Sequence, residues 1–177
     1  MPQVVPFALA GDAAEVLPQI DEIFFESAVR KDFASKEARA AFHELWLGRY
    51  LRHCPAECFV AFDDGSFVAG YLAGSLTSNK DPLPGPDVYG LFSQKLVAAY
   101  PAHIHVNVRR DYRGEGMGAL LIAAFAHHCR QHRVRGFHAI TAAGSRSANF
   151  FQRCGMENVA EAAWNRRPVV MLAQRVP

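Results

Sequence analysis

RRDYRGEGMG, residues 109–118, places glycine at positions 114, 116 and 118, between the apolar run HIHVNV (103–108) and the helix-like stretch MGALLIAAFAHHC (117–129). Each glycine at a helix entrance costs roughly 1 kcal/mol against alanine, so the alternation needs a reason. A strand that ends in a glycine-rich turn and opens a helix presents several backbone N–H groups at the positive end of the helix dipole. That is an anion site made of main chain. A tight strand-to-helix turn with no ligand is the plainer alternative.

The 177 residues, 50% hydrophobic and 20% charged, suit one α/β domain spanning 1–177. The formal net charge of +2 is too small to imply nucleic acid or an anionic membrane, so neither is expected as a partner. Arg109, Arg110 and Arg113 instead concentrate charge beside the glycines, which fits a local anion site. No apolar stretch approaches the roughly 20 residues that span a bilayer. VVPFALAG (4–11) lacks a basic leader and soon meets Asp12 and Glu15, so a cytoplasmic location is expected. The four cysteines suggest free thiols rather than a disulfide framework. His53 with Cys54 and Cys58, and His128 with Cys129 and His132, lack the paired spacing of metal sites, so no metal is expected.

The pattern predicts alternating elements. QVVPFAL is a strand, and Asp12 with Glu15 caps a helix to about Val29 that Pro18 should kink or split. Ser35 caps a second helix whose Phe42, Leu45, Trp46 and Tyr50 recur at helical spacing. ECFVAFD and SFVAGYLAGSL are strands joined through Asp64-Gly65, a hairpin signal. SNKDPLPGPD is a breaker-rich loop, and VYGLFSQKLVAAY a short helix. HIHVNV, GFHAITA, NVAEAAW and RPVVMLAQ are strands; GMGALLIAAFAHHCRQH and SRSANFFQRC are helices.

Several nucleotide readings compete for the glycines. GEGMGA (114–119) formally satisfies a dinucleotide fingerprint, yet GFHAITA ends without the acidic residue that should hold a ribose. A P-loop is excluded by the absence of GxxxxGK followed by Ser or Thr. An S-adenosylmethionine loop would also want an acidic partner after the next strand.

More of the chain supports another reading. RGEGMG resembles the Arg/Gln-x-x-Gly-x-Gly/Ala pyrophosphate loop of the GNAT-type N-acetyltransferases, matched at Arg113, Gly116 and Gly118. FFQRCGM (150–156) resembles that family's second signature, and the element order resembles its fold along nearly the whole chain. The resemblance implies a mixed, mostly antiparallel central sheet flanked by helices, with residues 79–101 inserted as loop and helix between strands 3 and 4. It implies acetyl-CoA as co-substrate, its thioester arm against the backbone of Val106 and Val108. The backbone from Arg113 through Gly114, Glu115, Gly116 and Met117 to Gly118 would cradle the pyrophosphate, with Arg113 adding charge. The insertion is expected to border the acceptor pocket. The stretch AYPAHIHVN, with the helix before it, is also similar to the acetyltransferase-like domain joined to some O-GlcNAc hydrolases.

The chemistry implied is acetyl transfer to an amine of a small molecule or peptide. A lysine-like ammonium, with a pKa of about 10.4, must lose a proton before it attacks. His103, His105 and Asn107 alternate along their strand and so share a face, which makes His105 the first candidate base and His103 the second. Phe151 stands where many members carry a tyrosine that protonates the departing thiolate, and Gly144 where an asparagine is common. Tyr100, Tyr112 or a water could substitute. The alternative is a module that binds acetyl-CoA without catalysis.

Overall fold

The computed structural model describes residues 2–78 and 87–177. Its strands are β1 (Gln3–Pro6), β2 (Phe59–Phe62), β3 (Val68–Ser75), β4 (Ala102–Val108), β5 (Gly136–Ala142), β6 (Glu157–Trp164) and β7 (Arg167–Arg175). Its α-helices are α1 (Ala13–Ser27), α2 (Lys36–His43), α3 (Arg49–His53), α4 (Gln94–Ala99), α5 (Met117–Gln131) and α6 (Arg146–Arg153). The strands form a seven-stranded sheet in the order β1-β2-β3-β4-β5-β7-β6. This is the mixed, mostly antiparallel sheet flanked by helices that the sequence leads one to expect. Residues 79–86, most of the proline-rich loop, lie outside the described residues. The chain divides into two compact units, Met1–Gly74 with His105–Phe125, and Ser75–Ile104 with Ala126–Pro177.

In the first unit β1, β2 and β3 pair antiparallel. β1 is shorter than QVVPFAL: after Pro6 the chain turns into a 3-10 helix, Phe7–Leu9, and Phe7 N–H reaches the Cys58 carbonyl at 2.7 Å. Asp12 caps α1 through Ala14 N–H (2.8 Å), and Val16, Ile20, Ile23 and Phe24 form its buried stripe. Pro18 does not split this helix. Its missing N–H releases only the Ala14 carbonyl, in a turn where Gln19 Nε2 also donates to the Glu15 carbonyl at 3.1 Å.

The second expected helix is interrupted. Ser35 caps α2, but Glu44–Gly48 is a π-helical turn before α3. One extra residue per turn rotates the following side chains, so Leu47, Tyr50 and Leu51 are buried while Phe42, Leu45 and Trp46 are only half-buried. An ion pair spans the turn, with Arg52 Nη1 2.9 Å from Glu44 Oε2. The β2–β3 hairpin also differs from the two-residue turn expected at Asp64-Gly65. Its left-handed residue is Ser66 (φ 65°), while Asp63 Oδ1 accepts from the N–H groups of Gly65 (2.9 Å) and Phe67 (2.7 Å). Asp63 Oδ2 accepts from the Tyr112 hydroxyl at 2.6 Å, a bond that holds this carboxyl below its usual range.

In the second unit β5 and β7 pair antiparallel from Gly136↔Arg175 to Ala142↔Val169, and β6 joins β7 through a turn whose Asn165 (φ 49°) and Arg166 (φ 62°) are both left-handed. β4 meets β5 in a parallel ladder of two rungs, Ala102↔Phe137 and His103↔His138. The described part of the insertion, a 3-10 turn (Asp87–Leu91) and α4, is a packing element: Phe92 and Val97 form a core cluster with Val169 and Met171.

His138 is fully buried, and its Nδ1–H donates to the Tyr100 carbonyl at 2.7 Å. Desolvation lowers its pKa to about 4, against the pull of that hydrogen bond. The unfolded chain takes up this proton near pH 6.5, the folded chain only near pH 4, so stability is lost as pH falls across that window. The loss expected by pH 4 is about 3 kcal/mol from this one group. Thermal midpoints of His138→Gln should fall less steeply than those of the parent between pH 6.5 and 4; parallel curves would contradict this assignment.

Candidate active site

β4 ends at Val108, a 3-10 turn covers Arg110–Tyr112, and α5 begins at Met117. Between them Gly114 and Gly116 have φ of +92° and +85°. A Cβ built on either would meet nothing within 4 Å, so protein crowding does not demand glycine there; the left-handed backbone does. Gly118 is different, a buried residue in the first turn of α5 outside the positive-φ set. Gly116 also opens the helix, its carbonyl accepting Leu120 N–H at 3.0 Å.

The N–H groups of the loop fall into two classes. Arg113 N–H is donated to the Arg110 carbonyl (3.2 Å) and Glu115 N–H to that of Tyr112 (3.4 Å). Those of Gly114, Gly116, Met117 and Gly118 have no acceptor among the described residues. They lie at the positive end of a 15-residue helix, where a ligand or water can satisfy them. The Met117 side chain is buried, and that of Glu115 is exposed at the loop tip.

The three arginines beside the glycines do not form a free positive cluster. Arg109 Nη2 lies 2.9 Å from Glu22 Oε2, its Nε donates to the Val68 carbonyl (3.3 Å), and its guanidinium sits 4.6 Å from the centre of the Phe67 ring. Arg110 Nε is 3.5 Å from Glu26 Oε1. Arg113 folds back: its Nε donates to the Val108 carbonyl at 2.9 Å, and Nη2 to Ser27 Oγ at 3.4 Å. Two loop arginines are thus neutralised by α1, and the third ties the loop to the end of β4.

His105 and Asn107 share a face of β4, as alternation requires. Asn107 Nδ2 donates to the Tyr71 hydroxyl (2.7 Å), and burial raises the pKa of that phenol. His105 is half-buried, with Nε2 3.3 Å from the Tyr50 hydroxyl and its ring edge-to-face with Trp46 and Tyr50, both at 5.5 Å. These two aromatics read from the sequence as helix packing; the strand they meet is 55 residues on from Tyr50, where no local pattern reaches. His103 is 0% exposed. The Ser78 hydroxyl donates to the Pro101 carbonyl (2.7 Å), which leaves its oxygen to accept from His103 Nδ1–H (3.0 Å). The second candidate base is therefore embedded in the second unit, its Nδ1 already carrying a proton.

Phe151 is buried on α6, a helix capped by Ser145 Oγ on Ala148 N–H (3.1 Å) and preceded by Gly144 at φ 67°. Of the possible substitute acids, the Tyr112 hydroxyl is engaged by Asp63, which raises its pKa. Tyr100 lies buried beneath the Arg175 guanidinium, 5.3 Å from the centre of its ring. Among the described residues no group of three His, Cys, Asp or Glu side chains is placed to hold a metal ion, and no helix is long and apolar enough to cross a membrane.

Residues 17–156 match the Acetyltransferase (GNAT) family. The chain belongs to the GNAT acetyltransferases. As a member it is an acetyltransferase. No curated protein matches its sequence significantly. Solved structures share the GNAT fold at low identity. The crystal structure of SsHAT superimposes with a TM-score of 0.71 at 20% identity, covering 99% of this chain and 98% of that one. YncA from Salmonella typhimurium, solved with acetyl-CoA, gives 0.62 at 15%, covering 100% and 95%. The NatC complex bound to Gag peptide and CoA gives 0.65 at 12%, covering 99% of each chain.

The bracing role of Arg113 generates a prediction. A charge-only role would be filled by lysine, whereas the bond from Nε to the Val108 carbonyl requires the guanidinium geometry. Arg113→Lys and Arg113→Met should therefore both lower stability, by about 1 to 2 kcal/mol in urea unfolding. A lysine variant as stable as the parent would return Arg113 to a purely electrostatic part.

Proposed function

We propose that this GNAT acetyltransferase acetylates a primary amine, on a small molecule or a peptide, with His105 as the general base. The observation that carries the reading is a half-buried imidazole on β4, the strand that leads into the loop with the unsatisfied N–H groups. The N–H groups of Gly114, Gly116, Met117 and Gly118 suit the pyrophosphate of acetyl-CoA, being several donors without an acceptor among the described residues at a helix end whose dipole favours an anion. The two-rung β4–β5 ladder supports assigning the backbone of Val106 and Val108 to the thioester arm. Residues 1–177 are read as one acetyltransferase-like domain. AYPAHIHVN (99–107), on sequence alone, marks the subgroup that resembles the O-GlcNAc hydrolase-linked domain.

The chemistry follows from the groups present. An ammonium acceptor gives one proton to His105, and the freed amine attacks the thioester carbonyl. The N–C bond forms, the C–S bond breaks, and the second nitrogen proton leaves the amide as the thiolate of CoA takes one up. With phenylalanine at position 151 that last proton comes from water or from the imidazolium, because an aromatic hydrocarbon has none to give. A thiolate leaves readily enough that this costs little.

His105→Gln should lower the acetylation rate about 100-fold or more on a working amine, with acetyl-CoA affinity within about twofold of the parent. The check is thiol release across polyamines, amino sugars, amino acids and lysine peptides, paired with calorimetric titration of acetyl-CoA. A full rate in the variant removes His105 from the chemistry.

A further inference from the structure

The base assigned above has two nitrogens, and the structure distinguishes them. His105 Nε2 points at the hydroxyl of Tyr50, 3.3 Å away, and Tyr50 is 0% exposed. An acceptor amine cannot enter that side of the ring without displacing a core residue. Resting on the reading of His105 as base, we propose that Tyr50 is a positioning residue: its hydroxyl accepts Nε2–H and so holds the imidazole in the tautomer that receives the substrate proton at Nδ1. Which ring nitrogen is basic is set by the hydrogen bond the other makes. After proton transfer the imidazolium still donates from Nε2 to the same oxygen, so no group reorganises during the step.

The local fold is built to hold Tyr50 there. The π-helical turn Glu44–Gly48 immediately precedes α3 and turns Trp46 and Tyr50 onto one ring, at 86° and 72° to its plane. Glu44 is held across that turn by Arg52. The imidazole is thus bounded by two aromatic edges, and the Tyr50 hydroxyl fixes its rotation about χ2. The sequence pattern alone reads Trp46 and Tyr50 as packing residues; the hydrogen bond between Nε2 and the hydroxyl oxygen is what packing does not require.

The test is Tyr50→Phe, which keeps the ring and removes one oxygen. kcat should fall on the order of 10-fold, with KM for acetyl-CoA unchanged, because only the proton-accepting step is disturbed. In a His105→Gln background the same substitution should cost nothing further. The 15N spectrum of the parent histidines, read without any substrate, should show His105 protonated at Nε2, and Tyr50→Phe should release it to a mixture of tautomers. If His105→Gln is impaired but Tyr50→Phe keeps its rate, Tyr50 is a packing residue and the proposal falls while the base stands. If His105→Gln is fully active, the base reading itself has failed, and this inference with it. Additive losses in the double variant, or a parent spectrum with the proton on Nδ1, would overturn the positioning role directly.

Discussion

A helix cannot satisfy its own first N–H groups, and among the described residues nothing before α5 satisfies them either. That constraint organises the loop from Arg109 to Gly118. Left-handed backbone at Gly114 and Gly116 leaves donors without acceptors among the described residues, and Gly116 opens the helix with its carbonyl. The loop is then tied down at its flanks. Arg109 and Arg110 meet α1, Arg113 reaches back to Val108, and Tyr112 crosses to Asp63 in the β2–β3 hairpin. Donors held in place beforehand in this way lose little on binding a ligand.

β4 carries two different histidines. His103 is sealed among Ser78 and Pro101, with His138 nearby, and it belongs to a packed interior. His105, two residues on, meets a phenol and an indole on a helical segment that contains a π turn. Alternation along a strand equalises the direction of two side chains but not their surroundings. The difference between the two histidines is one of burial and partners, both set by residues far away in sequence.

The fold was legible because its determinants are local. Asp12 and Ser35 each cap a helix, the glycines mark the turn before α5, and the apolar runs give the strands. The glycine loop was legible for the same reason, although the cause differs in part: Gly114 and Gly116 answer to backbone handedness, not to crowding. What stayed hidden depends on contacts between distant segments. The π turn at Glu44–Gly48 hides inside an ordinary helical pattern, since one extra residue per turn leaves no mark in composition. The pairing of Arg109 with Glu22 and Arg110 with Glu26 turns an apparent positive patch into a set of braces. Tyr50 could be placed beside His105 only once the fold brought residues 50 and 105 together.

We propose that the main chain of residues 114–118 recognises the pyrophosphate of acetyl-CoA. Titrating acetyl-CoA and S-acetylpantetheine, which has no pyrophosphate, into the parent and into Gly116→Val separates that contact from every other one. Both proteins must be titrated below the variant's unfolding temperature, because valine at φ +85° strains the loop. The account predicts at least about a 10-fold loss of acetyl-CoA affinity in the variant, with S-acetylpantetheine binding unchanged. Equal losses for both ligands, or no loss for either, would contradict it.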